Sequence, residues 1–216
     1  MPLYIPERAA VPKPDGDDPL DYYYRPITGT VYRRRLQMAV ELLGRVRHGA
    51  LLEVGCGSGI LLPELSRHAD RLVAIDIHPE LESVRAFLAK EGVIAEVLEA
   101  SLFEMPFADA EFDALLCASV LEHLTDLQAA LAEFARVVRP GGTVVLGFPV
   151  RNVVTDTFFR LAHFNPREIH PSGHRDIEAA ARSCPDLEVL TRRALPGFLP
   201  LDLSLYEVCA CRRRGR

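Results

Sequence analysis

The chain has 216 residues, of which 49% are hydrophobic and 25% are charged, and its formal net charge is -5 at pH 7. This composition predicts one globular domain with a sizeable core, because a disordered chain would be poorer in apolar residues. The acidic balance provides no overall field to attract a nucleic-acid backbone, so we expect no nucleic-acid partner. No apolar stretch approaches the roughly 20 residues that cross a bilayer, so we predict no membrane span.

The first 21 residues are rich in proline and aspartate and predict a flexible arm. They lack the basic start and apolar run of a secretory signal, so we expect a cytoplasmic protein. The cysteines are odd in number and form no Cys-x-x-Cys pair, which predicts reduced thiols rather than disulfides or a metal site. We divide the chain into an N-terminal arm at 1–27 and a single domain at 28–216.

The spacing of apolar residues predicts a helix at 28–47, ended by His48-Gly49. Short apolar runs then alternate with helices. Strands are predicted at 50–54, 72–75, 93–98, 112–117 and 143–148, with helices at 60–68, 79–90 and 127–138. This alternation indicates a parallel sheet covered on both faces, which is an α/β, doubly wound fold. A helix at 176–184 and strands at 187–191 and 203–211 complete the chain, and the last two strands should pair antiparallel.

A glycine-rich turn follows the first strand, with the sequence Gly55-Cys56-Gly57-Ser58-Gly59. Glycines permit a tight turn and close ligand approach, and the next helix should direct its N–H groups and dipole at the ligand. The spacing differs from a dinucleotide fingerprint, because Ile60 stands sixth from Gly55, and the P-loop lysine is also absent.

Asp76 closes the second strand, where a carboxylate can accept hydrogen bonds from a ribose diol. The alternative is that Asp76 caps the helix that follows.

Four segments together resemble class I methyltransferases that depend on S-adenosylmethionine (SAM), in the group with ubiquinone- and menaquinone-type and many small-molecule enzymes. They are the glycine-rich turn with Glu53 before it, Met105-Pro106-Phe107 with Glu111-Phe112-Asp113, Leu121-Glu122-His123-Leu124, and the run 136–142. The resemblance covers about residues 50–148. It implies a Rossmann-like, mostly parallel seven-stranded sheet with an antiparallel C-terminal hairpin. It also implies methyl transfer from SAM to a small-molecule acceptor, which leaves S-adenosylhomocysteine (SAH).

The resemblance also implies a set of cofactor contacts. The glycine-rich turn lies against the methionine part of SAM, Asp76 binds both ribose hydroxyls, and Ile77 flanks the adenine. The full predicted set is Glu53, Gly55, Cys56, Gly57, Gly59, Asp76, Ile77, Ser101, Leu102, Ser119 and Tyr24.

Ser101 and Tyr24 differ from the other members of this set. Ser101 replaces the family's usual Asp, and its hydroxyl can accept from the adenine amino group only without charge. Tyr24 belongs to the arm, which folds over SAM as a lid in similar enzymes. Tyr24 or Arg33 would reach the methionine carboxylate, and the alternative for the three arginines at 33–35 is a solvated helix face.

Transfer from a sulfonium mainly requires proximity and alignment, and a general base is needed only if the acceptor loses a proton early. His123, after the fourth strand, is the predicted base, and the alternative is a structural role beside the cofactor. The spacing of His163, His170 and His174 matches no metal site, so we predict no metal.

The segment 149–173 is predicted to form part of the acceptor pocket, or else to be a helix packed on the core. Its aromatic residues suggest an apolar or aromatic substrate, and they are Phe158, Phe159 and Phe164.

Three other functions fit the same sheet. An NAD(P)-dependent oxidoreductase is disfavoured by the glycine spacing and by the antiparallel tail. A non-catalytic SAM-fold protein that binds or regulates a partner is disfavoured by the intact glycines and Asp76. A nucleic-acid methyltransferase would carry an (Asn/Asp)-Pro-Pro-(Tyr/Phe) motif after the fourth strand, where Cys117-Ala118-Ser119-Val120 stands instead.

Overall fold

A seven-stranded sheet forms the centre of the protein, whose computed structural model describes residues 3–13, 19–152, 171–200 and 203–215. The strands are β1 (His48–Val54), β2 (Ala69–Asp76), β3 (Glu96–Glu99), β4 (Phe112–Ala118), β5 (Val138–Pro149), β6 (Leu187–Leu195) and β7 (Tyr206–Arg213). Their order across the sheet is β3-β2-β1-β4-β5-β7-β6. The first five strands pair parallel, and β7 pairs antiparallel with both β5 and β6. This confirms the predicted doubly wound sheet and its antiparallel C-terminal hairpin.

Helices cover both faces of the sheet. They are α1 (Thr28–Leu43), α2 (Leu62–Leu65), α3 (Leu81–Lys90), α4 (Leu127–Val137) and α5 (His174–Ser183). One apolar cluster contains side chains of α1, α2 and α3, and a second contains those of α4 and α5. Adjacent strand residues enter opposite clusters, as Leu51 and Leu52 do, because side chains alternate across a strand. None of the helices within the described ranges has the length and apolar character needed to cross a bilayer.

The first helix and the turn after it differ from the prediction. Helix α1 ends at Leu43 because Gly44 adopts a φ of 94°, and His48 already pairs with Ala69 in the sheet. His48-Gly49 therefore opens β1 and does not end the helix.

Helix α2 is a single turn, since β2 begins only four residues after it. The expectation of a helix dipole aimed at the ligand is wrong, because four residues align too few peptide dipoles.

Strand boundaries also differ from the prediction, since β2 begins at Ala69 and β3 covers only Glu96–Glu99, and further differences lie in the C-terminal half of the sheet. Strand β5 begins at Val138, five residues earlier than predicted, and a shift in its pairing with β4 absorbs the Pro-Gly-Gly sequence at 140–142. Strand β6 extends to Leu195, where its last residue pairs with Tyr206 at the start of β7. The hairpin is longer than its apolar pattern indicated because β6 is an edge strand with largely exposed side chains.

The described part of the N-terminal arm is packed against the domain. Val11 and Leu20 are buried in the same core cluster as α1. The Tyr4 backbone N–H donates to Glu64 at 3.0 Å, and the Tyr4 hydroxyl donates to Glu91 at 2.8 Å. The prediction of a flexible arm is therefore wrong for these residues. Proline prevents regular structure there, but it does not prevent apolar side chains from packing.

Candidate functional site

A cavity of about 500 Å³ lies at the carboxyl ends of β1, β2 and β4. Strand β1 stands between β2 and β4, so the strand order reverses at this point, which is where doubly wound sheets bind ligands. The volume falls within the range of small-molecule sites, roughly 300–1,000 Å³. Nine predicted site residues line the cavity: Glu53, Gly55, Cys56, Gly57, Asp76, Ile77, Leu102, Ser119 and His123.

The glycine-rich turn has a positive φ at Gly55, Gly57 and Gly59, which glycine adopts without steric cost, and two of these positions also lack room for a side chain. Gly55 has a φ of 78°, and a Cβ there would overlap Cγ2 of Val120, which also lines the cavity. Gly59 has a φ of 73°, and a Cβ there would lie 2.6 Å from Cγ1 of Val84 on α3. Gly59 does not line the cavity, and close packing against α3 accounts for the glycine, while its cofactor contact stays a prediction.

Asp76 connects the end of β2 to this turn. Its Oδ2 accepts from the Gly57 N–H at 2.8 Å, and its Oδ1 accepts from the N–H groups of Ile77 and His78 at 2.7 Å and 3.3 Å. Helix α3 begins later, after Glu80, so Asp76 does not cap it. A carboxylate has about four acceptor positions, so these three bonds leave capacity for a ligand hydroxyl.

Glu53 is a buried carboxyl group in the wall of the cavity. It is 5% exposed, and its Oε2 has no hydrogen-bond partner among the residues that the structure describes. Burial raises the Glu53 pKa to about 8, with a further contribution from the negative charge of Asp76. A cationic ligand group would pair with this oxygen and offset the cost of burying the charge.

Arg35 from α1 supplies a positive charge to the same cavity. Its Nη2 donates to the Tyr23 hydroxyl at 2.7 Å, and its guanidinium carbon lies 4.2 Å from the centre of the Tyr32 ring. Its Nη1 lies 3.4 Å from Oγ of Ser119, and its Nε has no partner within the described ranges. The solvated-face interpretation is therefore wrong for Arg35. A usable signal was present, because Arg35 is one helical turn from Tyr32 and from the buried Ala39.

Ser119 stands at the end of β4 in an unusual conformation. Its φ is 60°, which is rare for a residue other than glycine, and such strain is concentrated at functional sites. Its Oγ lies 2.9 Å from the hydroxyl of the buried Tyr206. A hydrogen-bonded chain thus runs from Tyr23 in the arm through Arg35 and Ser119 to Tyr206 on β7.

Two further predicted contacts, Tyr24 and Ser101, are not among the residues that line the cavity. The Tyr24 hydroxyl donates to the Pro6 carbonyl at 2.8 Å, so it is directed to the arm. The Ser101 hydroxyl accepts from the Phe103 N–H at 3.2 Å, and only its neighbours Ala100 and Leu102 line the cavity. Arg33 is likewise used locally, because it donates to the Tyr23 carbonyl at 2.7 Å.

The cavity is also lined by residues that the sequence did not predict. Tyr23, Arg35, His78 and Val120 are the most informative of them. Tyr23 and Pro19 bring the arm to the cavity, although Tyr24 was the tyrosine selected. Tyr22, Tyr23 and Tyr24 are adjacent in the sequence, so no periodic pattern indicated that Tyr23 would be the buried one.

The histidines occupy different environments. His123 lies in a short 3-10 turn, Leu121–His123, directly after β4, and its side chain is exposed at the cavity. His174 is buried at the start of α5, where its Nδ1 accepts from the Arg151 N–H at 3.1 Å. His163 and His170 lie outside the described residues, as do Phe158, Phe159 and Phe164, so the predicted acceptor pocket is untested.

Comparisons with known proteins agree with this geometry. A family model described as a methyltransferase domain matches residues 52–146. A ubiquinone biosynthesis O-methyltransferase of Alkalilimnicola ehrlichii is 30% identical over 151 residues, which cover 68% of this chain and 61% of that protein. The chain therefore spans about three fifths of the length of this curated relative.

Two solved structures share the fold. The N-methyltransferase NodS from Bradyrhizobium japonicum, in complex with SAH, has a TM-score of 0.67 at 20% identity, covering 93% of this chain and 94% of that chain. The 4+2 cyclase SpnF has a TM-score of 0.71 at 15% identity, covering 95% of this chain and 87% of that chain. At these identities the likeness shows the fold alone, and a cyclase on the same fold illustrates that fold does not decide the reaction.

Proposed function

We propose that the chain is a class I methyltransferase that depends on SAM, and that it transfers the methyl group of SAM to a small-molecule acceptor. The observation that carries this proposal is that a buried carboxyl group, Glu53, and a half-buried cation, Arg35, line one cavity of suitable size. The methionine part of SAM carries an ammonium and a carboxylate, which are the complementary charges.

The residues present fit each part of SAM. Glu53, with its unpartnered Oε2, would accept from the ammonium, and Arg35 would bind the carboxylate. Asp76 retains acceptor capacity for the ribose diol. Ile77 and Leu102 would hold the adenine between apolar surfaces. A side chain at position 55 would overlap Val120, so glycine lets the turn pack against this residue at the edge of the cavity.

When bound, SAM supplies an activated methyl group on a sulfonium. The protein's own contribution is to hold the donor and the acceptor in line and to exclude water from between them. His123, exposed at the cavity after β4, is proposed to accept the proton of an acceptor hydroxyl or amine. The relative that is an O-methyltransferase favours a hydroxyl as the first acceptor group to test.

The arm at 1–27 is proposed to act as a lid. Pro19 and Tyr23 line the cavity, and the Tyr23 hydroxyl bonds to Arg35, the proposed carboxylate ligand. Movement of Pro19 and Tyr23 away from the cavity would therefore open it and break the bond between Tyr23 and Arg35 in one step.

Calorimetric titration with SAM, SAH and NADH tests the proposal. We expect micromolar binding of SAM and SAH and no binding of NADH. Binding of NADH alone would overturn the cofactor assignment in favour of an oxidoreductase. Catalysis is then tested with labelled SAM and panels of phenols, aliphatic alcohols and amines.

A non-catalytic role in binding SAM is the second candidate function, because the residues proposed to hold SAM do not by themselves require that methyl transfer follows. SAM binding without methyl transfer to any acceptor class would favour it.

A further inference from the structure

The centre of the glycine-rich turn is held by side chains. At its ends, the N–H groups of Gly55 and Cys56 donate to the Ile75 carbonyl, and the Gly59 N–H donates to the Cys56 carbonyl. At Gly57 both backbone groups bond instead to side chains, one from the last residue of β2 and one from the segment between β2 and α3. The Gly57 N–H donates to Asp76 at 2.8 Å, and the Gly57 carbonyl accepts from His78 Nε2 at 2.9 Å.

The second ring nitrogen of His78 decides the direction of this bond. Its Nδ1 lies 3.2 Å from the backbone N–H of Glu80, which can only donate. Nδ1 must therefore accept, and the ring proton of the neutral imidazole must be on Nε2. Nε2 then donates to the Gly57 carbonyl, and both nitrogens have partners that fix the orientation of the ring.

We propose that His78 is a positioning residue for the cofactor, an inference that rests on the proposed function. By holding Gly57 from the side opposite to Asp76, His78 keeps the turn in its binding conformation before the ligand arrives. Gly57 has a φ of 51°, and a chain with glycine at 55, 57 and 59 has many other conformations open to it. Without His78 the turn would become ordered only when the ligand binds, and the entropy lost in that step would weaken binding.

Two substitutions separate this role from support of helix α3. In His78→Asn, the amide oxygen can still accept from the Glu80 N–H, but the side chain is too short to reach Gly57. In His78→Gln, the longer side chain can place an N–H donor near the position of Nε2. The asparagine variant thus removes the bond to the turn, and the glutamine variant restores it.

Binding and hydrogen exchange give the two measurements. We expect His78→Asn to raise the Kd for SAM by about 3- to 10-fold, which is the usual effect of one lost hydrogen bond, while His78→Gln stays within about 2-fold of wild type. In the ligand-free protein, amide exchange in the segment 55–59 should be several-fold faster in the asparagine variant only, with the thermal midpoint unchanged in both.

The outcomes distinguish this proposal from the one on which it rests. A wild-type protein that binds neither SAM nor SAH defeats the proposed function, and with it any role of His78 toward that cofactor. A wild type that binds SAM, with His78→Asn equal to it in Kd and in exchange at 55–59, overturns the positioning role alone. Equal weakening in both variants, with a lowered thermal midpoint, also overturns it, because His78 would then support the fold.

Discussion

Replacing Glu53 with glutamine should stabilise the protein while it weakens cofactor binding. The Glu53 pKa is raised from 4.5 to about 8, because the carboxyl group is buried and lies near Asp76. Below pH 4.5 the group is protonated in both the folded and the unfolded state. Between pH 4.5 and pH 8 the unfolded state loses its proton and the folded state keeps it, so wild-type stability falls as the pH rises. Above pH 8 both states are ionised and the loss is complete.

The magnitude follows from the difference between the two pKa values. At about 1.36 kcal/mol for each pKa unit, the free energy of unfolding falls by about 5 kcal/mol over the full window, of which about 3 kcal/mol is already lost at pH 7. Glutamine has no proton to lose in this range. The stability of Glu53→Gln minus that of wild type should therefore grow by about 4 kcal/mol between pH 5 and pH 8.5.

Urea unfolding at pH 5, 7 and 8.5 measures this difference. Glu122→Gln is a useful control, since burial raises the pKa of Glu122 to about 7 and its effect should be smaller and complete at a lower pH. A stability difference for Glu53→Gln that does not change with pH would refute the reasoning, because Glu53 would then be ionised in the folded state.

Cofactor binding tests the protonation state of Glu53 independently of protein stability. If the ammonium of SAM pairs with Glu53, binding near pH 7 should release close to one proton, because the cation favours the carboxylate. Titrations in buffers of different ionisation enthalpy measure that proton. Glu53→Gln should bind SAM more weakly and release no proton, and an unchanged proton release would contradict the assignment.

The remaining predictions concern three other positions. Asp76→Ala should weaken SAM binding by about 1.5–3 kcal/mol in calorimetry if its carboxylate holds the ribose, and an unchanged Kd would reduce its role to supporting the Gly57 turn. Gly59→Ala should lower the free energy of unfolding by about 1–3 kcal/mol, because its Cβ would meet Val84 at 2.6 Å, with little change in SAM affinity of the folded protein. A loss of SAM binding without a loss of stability would show a direct contact instead. His123→Ala should lower kcat by about 10²- to 10⁴-fold and leave the Kd for SAM unchanged if His123 is the base, whereas an unchanged kcat would assign it a structural role.

Local sequence patterns were sufficient to predict the sheet and the glycine-rich turn. Strands β2, β4 and β5 each contain a continuous apolar run, which is typical of a strand with both faces buried, whereas β3 is a short edge strand with an exposed glutamate at each end. Glu53, Gly55, Gly57 and Asp76 could be selected because the turn and the end of the next strand are adjacent at one edge of a parallel sheet. Where the prediction failed, as for helix α2, the length of the connection to β2 decided the outcome.

The sequence by itself determined the order of strands and helices, the position of the glycine-rich turn, and the two carboxyl groups beside it, because these depend on neighbours along the chain. Only the tertiary structure decided that Arg35, Tyr23 and His78 join the same cavity. In these bonds the two partners lie between 12 and 84 residues apart in the sequence, and the largest separation is that between Arg35 and Ser119. Burial of a charged side chain depends on which surfaces meet in space. The helical spacing of Arg35 and Tyr32 indicates a shared face of α1, but it does not say which surface covers that face.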